Sequence, residues 1–244
     1  MKTLGFACAL VLAAGTAHAA APATPAPASD ILAATKRLML PLIVKNYGGT
    51  CRGELGHPVT VGADGMLGAG PFRRDLLARA VALDVSQEVV GGKPGWPSFD
   101  ARVFGQFNAK LVQDTDEVMQ LEVGEKKVEC RVKRVEKAGA NPRLYPMIAP
   151  LTNFVTSELG CMSHRSNVSK RKIVLTPAGL SVDGELTPLV QPRGREELMV
   201  HDDGIIYAFT ADGKRTSVSF DAAGELREIT ATVRGMEMSC LKGL

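Results

Sequence analysis

The chain carries 244 residues, 45% of them apolar and only 5% aromatic, with 29 basic side chains against 26 acidic ones. So small a positive excess does not argue for nucleic acid, which is gripped through clustered basic surface. The apolar run near the start is shorter than the ~20 residues that a membrane span needs, so no transmembrane segment is expected in the mature chain.

Residues 1–19 read as a secretory signal peptide. Lys2 supplies the charged start, Leu4 to Ala14 the apolar stretch, and Ala17-His18-Ala19 the small-residue ending before Ala20. Cys8 lies inside the apolar stretch and leaves with it. Losing Lys2 takes the 29 basic residues to 28 against 26 acidic, a net charge of +2. The expectation is a periplasmic or secreted protein. Residues 20–29 form a Pro/Ala-rich leader without periodicity. The rest suits one large domain or two small ones.

A first helix is expected from Asp30 to Tyr47, divided or kinked at Pro41. "VTVGADGML" (59–67) is a short apolar run meeting a glycine turn, and "FRRDLLARAVALD" (72–84) fits a helix or a strand. "GGKPGWPSF" (91–99) reads as a loop around the only tryptophan, Trp96. "MQLEVGEKKVEC" (119–130) alternates as a half-buried strand does. A second helix is expected after Pro150, with Leu151, Phe154, Val155 and Leu159 at helical spacing and Gly160 as the stop. "IVLTPAGLS" (173–181) resembles 59–67, and from Glu197 onward short apolar runs are separated by turns. Asp203-Gly204 and Asp212-Gly213 are hairpin signals.

Four cysteines remain after signal removal. Cys51 and Cys130 are 79 positions apart, as are Cys161 and Cys240, so one pair maps onto the other at an offset of 110. At the same offset 119–130 lies over "ITATVRGMEMSC" (229–240) without a gap, placing Met119, Leu121, Val123 and Val128 on Ile229, Ala231, Val233 and Met238. An internal duplication follows, with disulfides Cys51–Cys130 and Cys161–Cys240. The expected fold is α+β: two tandem similar lobes, 30–137 and 138–244, each a helix packed on an antiparallel β-meander and closed by one disulfide. In layout such a pair is similar to the secreted β-lactamase inhibitory proteins, although no motif is shared.

Met162, His164, Met236 and Met238 beside two cysteines would suit Cu(I). Yet Met236, Met238 and Cys240 alternate in phase with the apolar face, where methionine fills gaps, and a disulfide consumes both thiolates. No metal or cofactor is therefore expected. No Cys-x-x-Cys, HExxH, G-x-S-x-G, P-loop or dinucleotide motif occurs, which makes an enzyme the weaker reading. His57, His164 and His201 fall in no catalytic pattern.

Two surfaces could meet a partner. One is Trp96, of a type enriched at interface centres. The other is basic: Lys127, Arg131 and Lys133 on a strand, and Arg165, Lys170, Arg171 and Lys172 in a loop, suited to an acidic envelope or extracellular protein or to an anionic envelope polymer. The resulting reading is an exported, non-enzymatic binding or inhibitory protein. A copper-handling protein and an unrecognised hydrolase are the alternatives.

Overall fold

The computed structural model describes residues 28–46, 49–52, 58–69, 72–103, 107–115, 118–123, 126–132, 141–148, 155–163, 166–176, 178–233 and 235–244. The signal-peptide reading and most of the leader fall outside these residues.

Helix α1 runs from Ala28 to Asn46 with Pro41 inside it. Alanine, leucine, lysine and methionine favour the helical backbone, and Leu32, Met39, Leu40, Leu42 and Ile43 go into the core. Pro41 has no N–H to give the Arg37 carbonyl.

Eighteen strands follow among the described residues. In the first half these are β1 (Gly49–Arg52), β2 (Pro58–Val61), β3 (Met66–Ala69), β4 (Phe72–Asp75), β5 (Val81–Val90), β6 (Lys93–Val103), β7 (Phe107–Thr115), β8 (Val118–Val123) and β9 (Lys126–Val132). The second half holds β10 (Val155–Ser163), β11 (Ser166–Thr176), β12 (Gly179–Val182), β13 (Glu185–Thr187), β14 (Gly194–Val200), β15 (Gly204–Ala211), β16 (Lys214–Asp221), β17 (Leu226–Val233) and β18 (Met236–Leu241).

All pairings are antiparallel. β4, β3, β2 and β1 are joined in that order, β1 pairs with β9, and β9 to β5 form a meander. β5 pairs with β14, β14 to β18 form a second meander, and β18 pairs with β10, which leads through β11 and β12 to β13. The pairing scheme of β10–β18 thus repeats that of β1–β9, and the two halves meet at β5 and β14. A twisted sheet of more than about ten strands curls or splits, and this one curls into a barrel. Its apolar face points inward: α1, β2, β3, β5, β6, β10–β12 and β14–β18 contribute to one core cluster. Outside, Glu197 pairs with Arg195 at 3.2 Å and Arg215 at 3.0 Å. No helix among the described residues is long and apolar enough to cross a membrane.

The expected pair of tandem helix-on-meander lobes is overturned. There is one α-helix among the described residues, one sheet and one core. The segment assigned to a second helix is β10, held on both sides by β11 and β18. Spacing over so short an apolar run fits either period, and β-branched Val155 and Thr156 with two available partner strands decide for extension. Gly160 stops no helix: a Cβ there would lie 2.6 Å from Cβ of Leu244 and 2.7 Å from its carbonyl oxygen, so glycine admits the terminal residue. The likeness in layout to β-lactamase inhibitory proteins goes with the two lobes.

Cys161 and Cys240 are bonded as cross-strand partners of β10 and β18, with Cα atoms 4.0 Å apart. Cys51 and Cys130 face each other in the same way across β1 and β9, while their side chains lie outside the described residues. Segment 72–84 resolves into β4, a turn and the start of β5, because Val81, Leu83 and Val85 alternate into the core.

Candidate functional site

The exposed positions of α1 are Ala34, Arg37, Leu38 and Pro41, spaced along one face. A surface helix normally turns charge outward; here Arg37 is the only charge among these four positions. Opposite lies the β2–β3 turn. Gly62 N–H donates to the Met66 carbonyl at 2.9 Å, and Asp64 Oδ1 accepts the Met66 N–H at 3.1 Å. Gly65 has φ +87°, and a Cβ on it would sit 2.8 Å from Leu77 Cγ. Glycine is required there both by conformation and by the close approach of the β4–β5 turn, whose Leu76 N–H donates to the Gly65 carbonyl at 2.9 Å.

These three elements enclose a groove of about 670 Å³. Leu40, Pro41 and Val44 form the helix wall, Leu77 and Ala63 the opposite wall, and Arg37 and Asp64 are its charged groups. That volume falls within the roughly 300–1,000 Å³ of small-molecule sites, which are mostly apolar with a few placed polar groups. The Arg37 guanidinium has no ion-pair or hydrogen-bond partner among the described residues.

Behind the groove the ionisable groups are occupied. Lys36, 1% exposed, donates from Nζ to the carbonyls of Ala78 (2.8 Å) and Val81. Burial pushes its pKa down to about 8 against the pull of Asp75 and Asp202. An amine tuned this way could serve catalysis, but enclosure and two carbonyl acceptors make it a tie between α1 and the β4–β5 turn. His201 Nε2 lies 2.9 Å from Asp84 Oδ1, and that hydrogen bond raises the imidazole pKa although burial and Arg102 oppose it. Asp84 is itself paired with Arg102.

Among the described residues a dense polar cluster sits at the β5–β14 junction. Glu196, fully buried, accepts from Arg143 Nε at 2.7 Å, Leu144 N–H at 3.0 Å and Gln87 Nε2 at 2.9 Å, and the Tyr207 hydroxyl, 2.9 Å from the Leu189 carbonyl, lies 3.3 Å from it. Gln87 also donates to the Pro142 carbonyl at 2.9 Å and is the cross-strand partner of Glu196. Burial foremost, then the charge of Glu196, raises the Tyr207 pKa, so this phenol stays protonated. Tyr145, in the short 3-10 turn Tyr145–Ile148, places its ring 5.0 Å from that of Tyr207. The cluster clasps residues 141–148 over the junction of the two halves.

The expected site residues are dispersed. Trp96 lies on β6, not in a loop: Gly91 and Gly92, at φ 59° and 76°, make a two-residue hairpin turn between Val90 and Lys93, so strand resumes at once. Its side chain is outside the described residues. Lys170, Arg171 and Lys172 are exposed on strand β11, also not in a loop, and seven strands (β5, β14–β18 and β10) separate it from β6 in pairing order. Arg171 is paired with Asp183 at 2.8 Å. Lys127 and Arg131 are on β9 without described side chains, and Lys133, His164 and Arg165 lie outside the described residues.

Met238 faces the core, whereas Met236, expected beside it, is 53% exposed where β18 begins beyond the edge of the core. The Cys161–Cys240 bond removes both thiolates from the copper reading, and no cluster of three or more His, Cys, Asp or Glu suited to a metal occurs among the described residues.

Sequence reasoning missed Glu196, Gln87 and Lys36. The signal for the first two was phase: Gln87 alternates with Val85 and Val89, and Glu196 with Leu198 and Val200, so each polar residue stands in a core position. Comparison with known proteins finds no matching family model, no matching curated protein and no matching solved structure.

Proposed function

We propose that this chain is an exported, non-enzymatic binding protein whose ligand seats in the groove between α1 and the β2–β3 turn. The observation that carries the reading is a small-molecule-sized apolar groove with, at its edge, a guanidinium that has no partner among the described residues. Lys36, His201 and Glu196 support it from the other side, because each uses polar atoms on internal partners. The signal-peptide pattern and the disulfide support export.

Titration with N-phenyl-1-naphthylamine, a neutral dye that brightens in apolar surroundings, tests the reading. Saturable binding is expected in the wild type and is lost in Ala63→Phe, which fills the groove from an exposed turn position. The melting curve of that variant should match the wild type. Equal dye binding by both proteins would reject the groove as the site.

A further inference from the structure

We infer that the ligand of this groove is a monoanionic single-chain amphiphile, a long-chain carboxylate, with its aliphatic chain against Leu40, Val44 and Leu77 and its head on Arg37. The inference rests on the groove-binding reading and adds the chemistry of the ligand. Three observations carry it.

Among the described residues the groove wall is aliphatic, without an aromatic ring for stacking: Leu40, Pro41, Val44, Ala63 and Leu77. Such a lining recognises hydrocarbon by area and shape and offers no hydrogen bonds to a sugar or a nucleobase. Apolar surface also continues out of the groove along α1, where Leu38 is 46% exposed one position from Arg37. A chain leaving the groove can therefore remain in contact with protein.

The two charges at the groove are not equivalent. Asp64 is folded back on its own turn: Oδ1 holds the Met66 N–H at 3.1 Å and stands 2.2 Å from where a Cβ on Gly62 would be. Arg37 has no partner among the described residues. Asp64 keeps its charge but commits one oxygen to the turn, whereas the planar Arg37 guanidinium fork can match a carboxylate through two parallel hydrogen bonds.

Each methylene taken from water is worth roughly fourfold in affinity, the equivalent of about 0.8 kcal/mol. Affinity should therefore climb with chain length while the groove fills.

The test is displacement of N-phenyl-1-naphthylamine from the full chain, below micellar concentrations, by octanoate, decanoate, dodecanoate, dodecanol and dodecylphosphocholine. The carboxylates should gain about fourfold per methylene. Dodecanoate should outcompete dodecanol by about fivefold or more, and Arg37→Gln should erase that preference, read as the ratio of the two competitors on the variant itself, with circular dichroism unchanged. Equal displacement by dodecanol, or a preference that survives Arg37→Gln, overturns the anionic ligand but leaves the groove as a binding site. Dodecylphosphocholine as the best competitor would assign a zwitterion that engages Asp64 as well, and also overturns it. A wild type that never binds the dye defeats the groove reading itself.

Discussion

Replacing Glu196 with alanine should be the most damaging single change at the junction of the two halves. The carboxylate is fully buried and receives three donors, from Arg143, Leu144 and Gln87, with the Tyr207 hydroxyl close by. Truncation leaves the Arg143 guanidinium, 14% exposed, as a buried charge without its counter-ion, and removing one member of a buried pair costs about 3–5 kcal/mol. The Leu144 N–H loses its acceptor too, but costs within one network do not simply add, so about 4 kcal/mol is expected. For a chain of this size that corresponds to a melting-temperature loss of about 8–16 °C. Glu196→Gln keeps the shape and one acceptor oxygen and should lose about half as much. Urea denaturation of Glu196→Ala, Arg143→Ala and the double variant completes a cycle, whose coupling should reach at least about 1.5 kcal/mol. A loss under about 1 kcal/mol for Glu196→Ala, or additive single variants, would refute the clasp.

Gly65→Ala forces a side chain into φ +87° and within 2.8 Å of Leu77 Cγ; it should cost about 2 kcal/mol in denaturant titration and weaken dye binding by shifting the groove wall. The His201–Asp84 hydrogen bond raises the imidazole pKa on folding, so its stabilisation is complete below the unfolded value of about 6.5 and fades as pH rises through the raised folded value. His201→Gln should consequently lose more stability at acid pH than at alkaline pH; an equal loss at both contradicts the pairing. Non-reducing peptide mapping should recover Cys161–Cys240 and also Cys51–Cys130, since the latter are cross-strand partners. Cys161→Ser should cost about 4 kcal/mol, as expected for a loop closed by a separation of 79.

The local rules of the sequence carried some elements well. Asp212 and Gly213, at φ 50° and 73°, make the hairpin turn between β15 and β16 that their dipeptide implies. The pairing of Cys161 with Cys240 followed from spacing alone. What spacing could not convey was how the halves associate. β5 and β14 pair edge to edge through Gln87 and Glu196, and nothing local distinguishes a strand that ends a lobe from one that continues a sheet into the next half. Helical spacing at Leu151 to Leu159 was misleading because the decision lay with β11 and β18, which come later in the chain. The groove was invisible for a related reason: α1, the β2–β3 turn and Leu77 each look ordinary, and only their packing leaves Arg37 beside aliphatic walls.

Amide-resolved NMR titration of the full chain with dodecanoate measures the central claim most directly. Binding in the groove should shift the Arg37, Leu40, Val44, Ala63 and Leu77 amides along one saturable curve, with β11 unaffected. Saturable shifts that centre instead on Lys170–Lys172, or none at α1 while the ligand is bound, would contradict it.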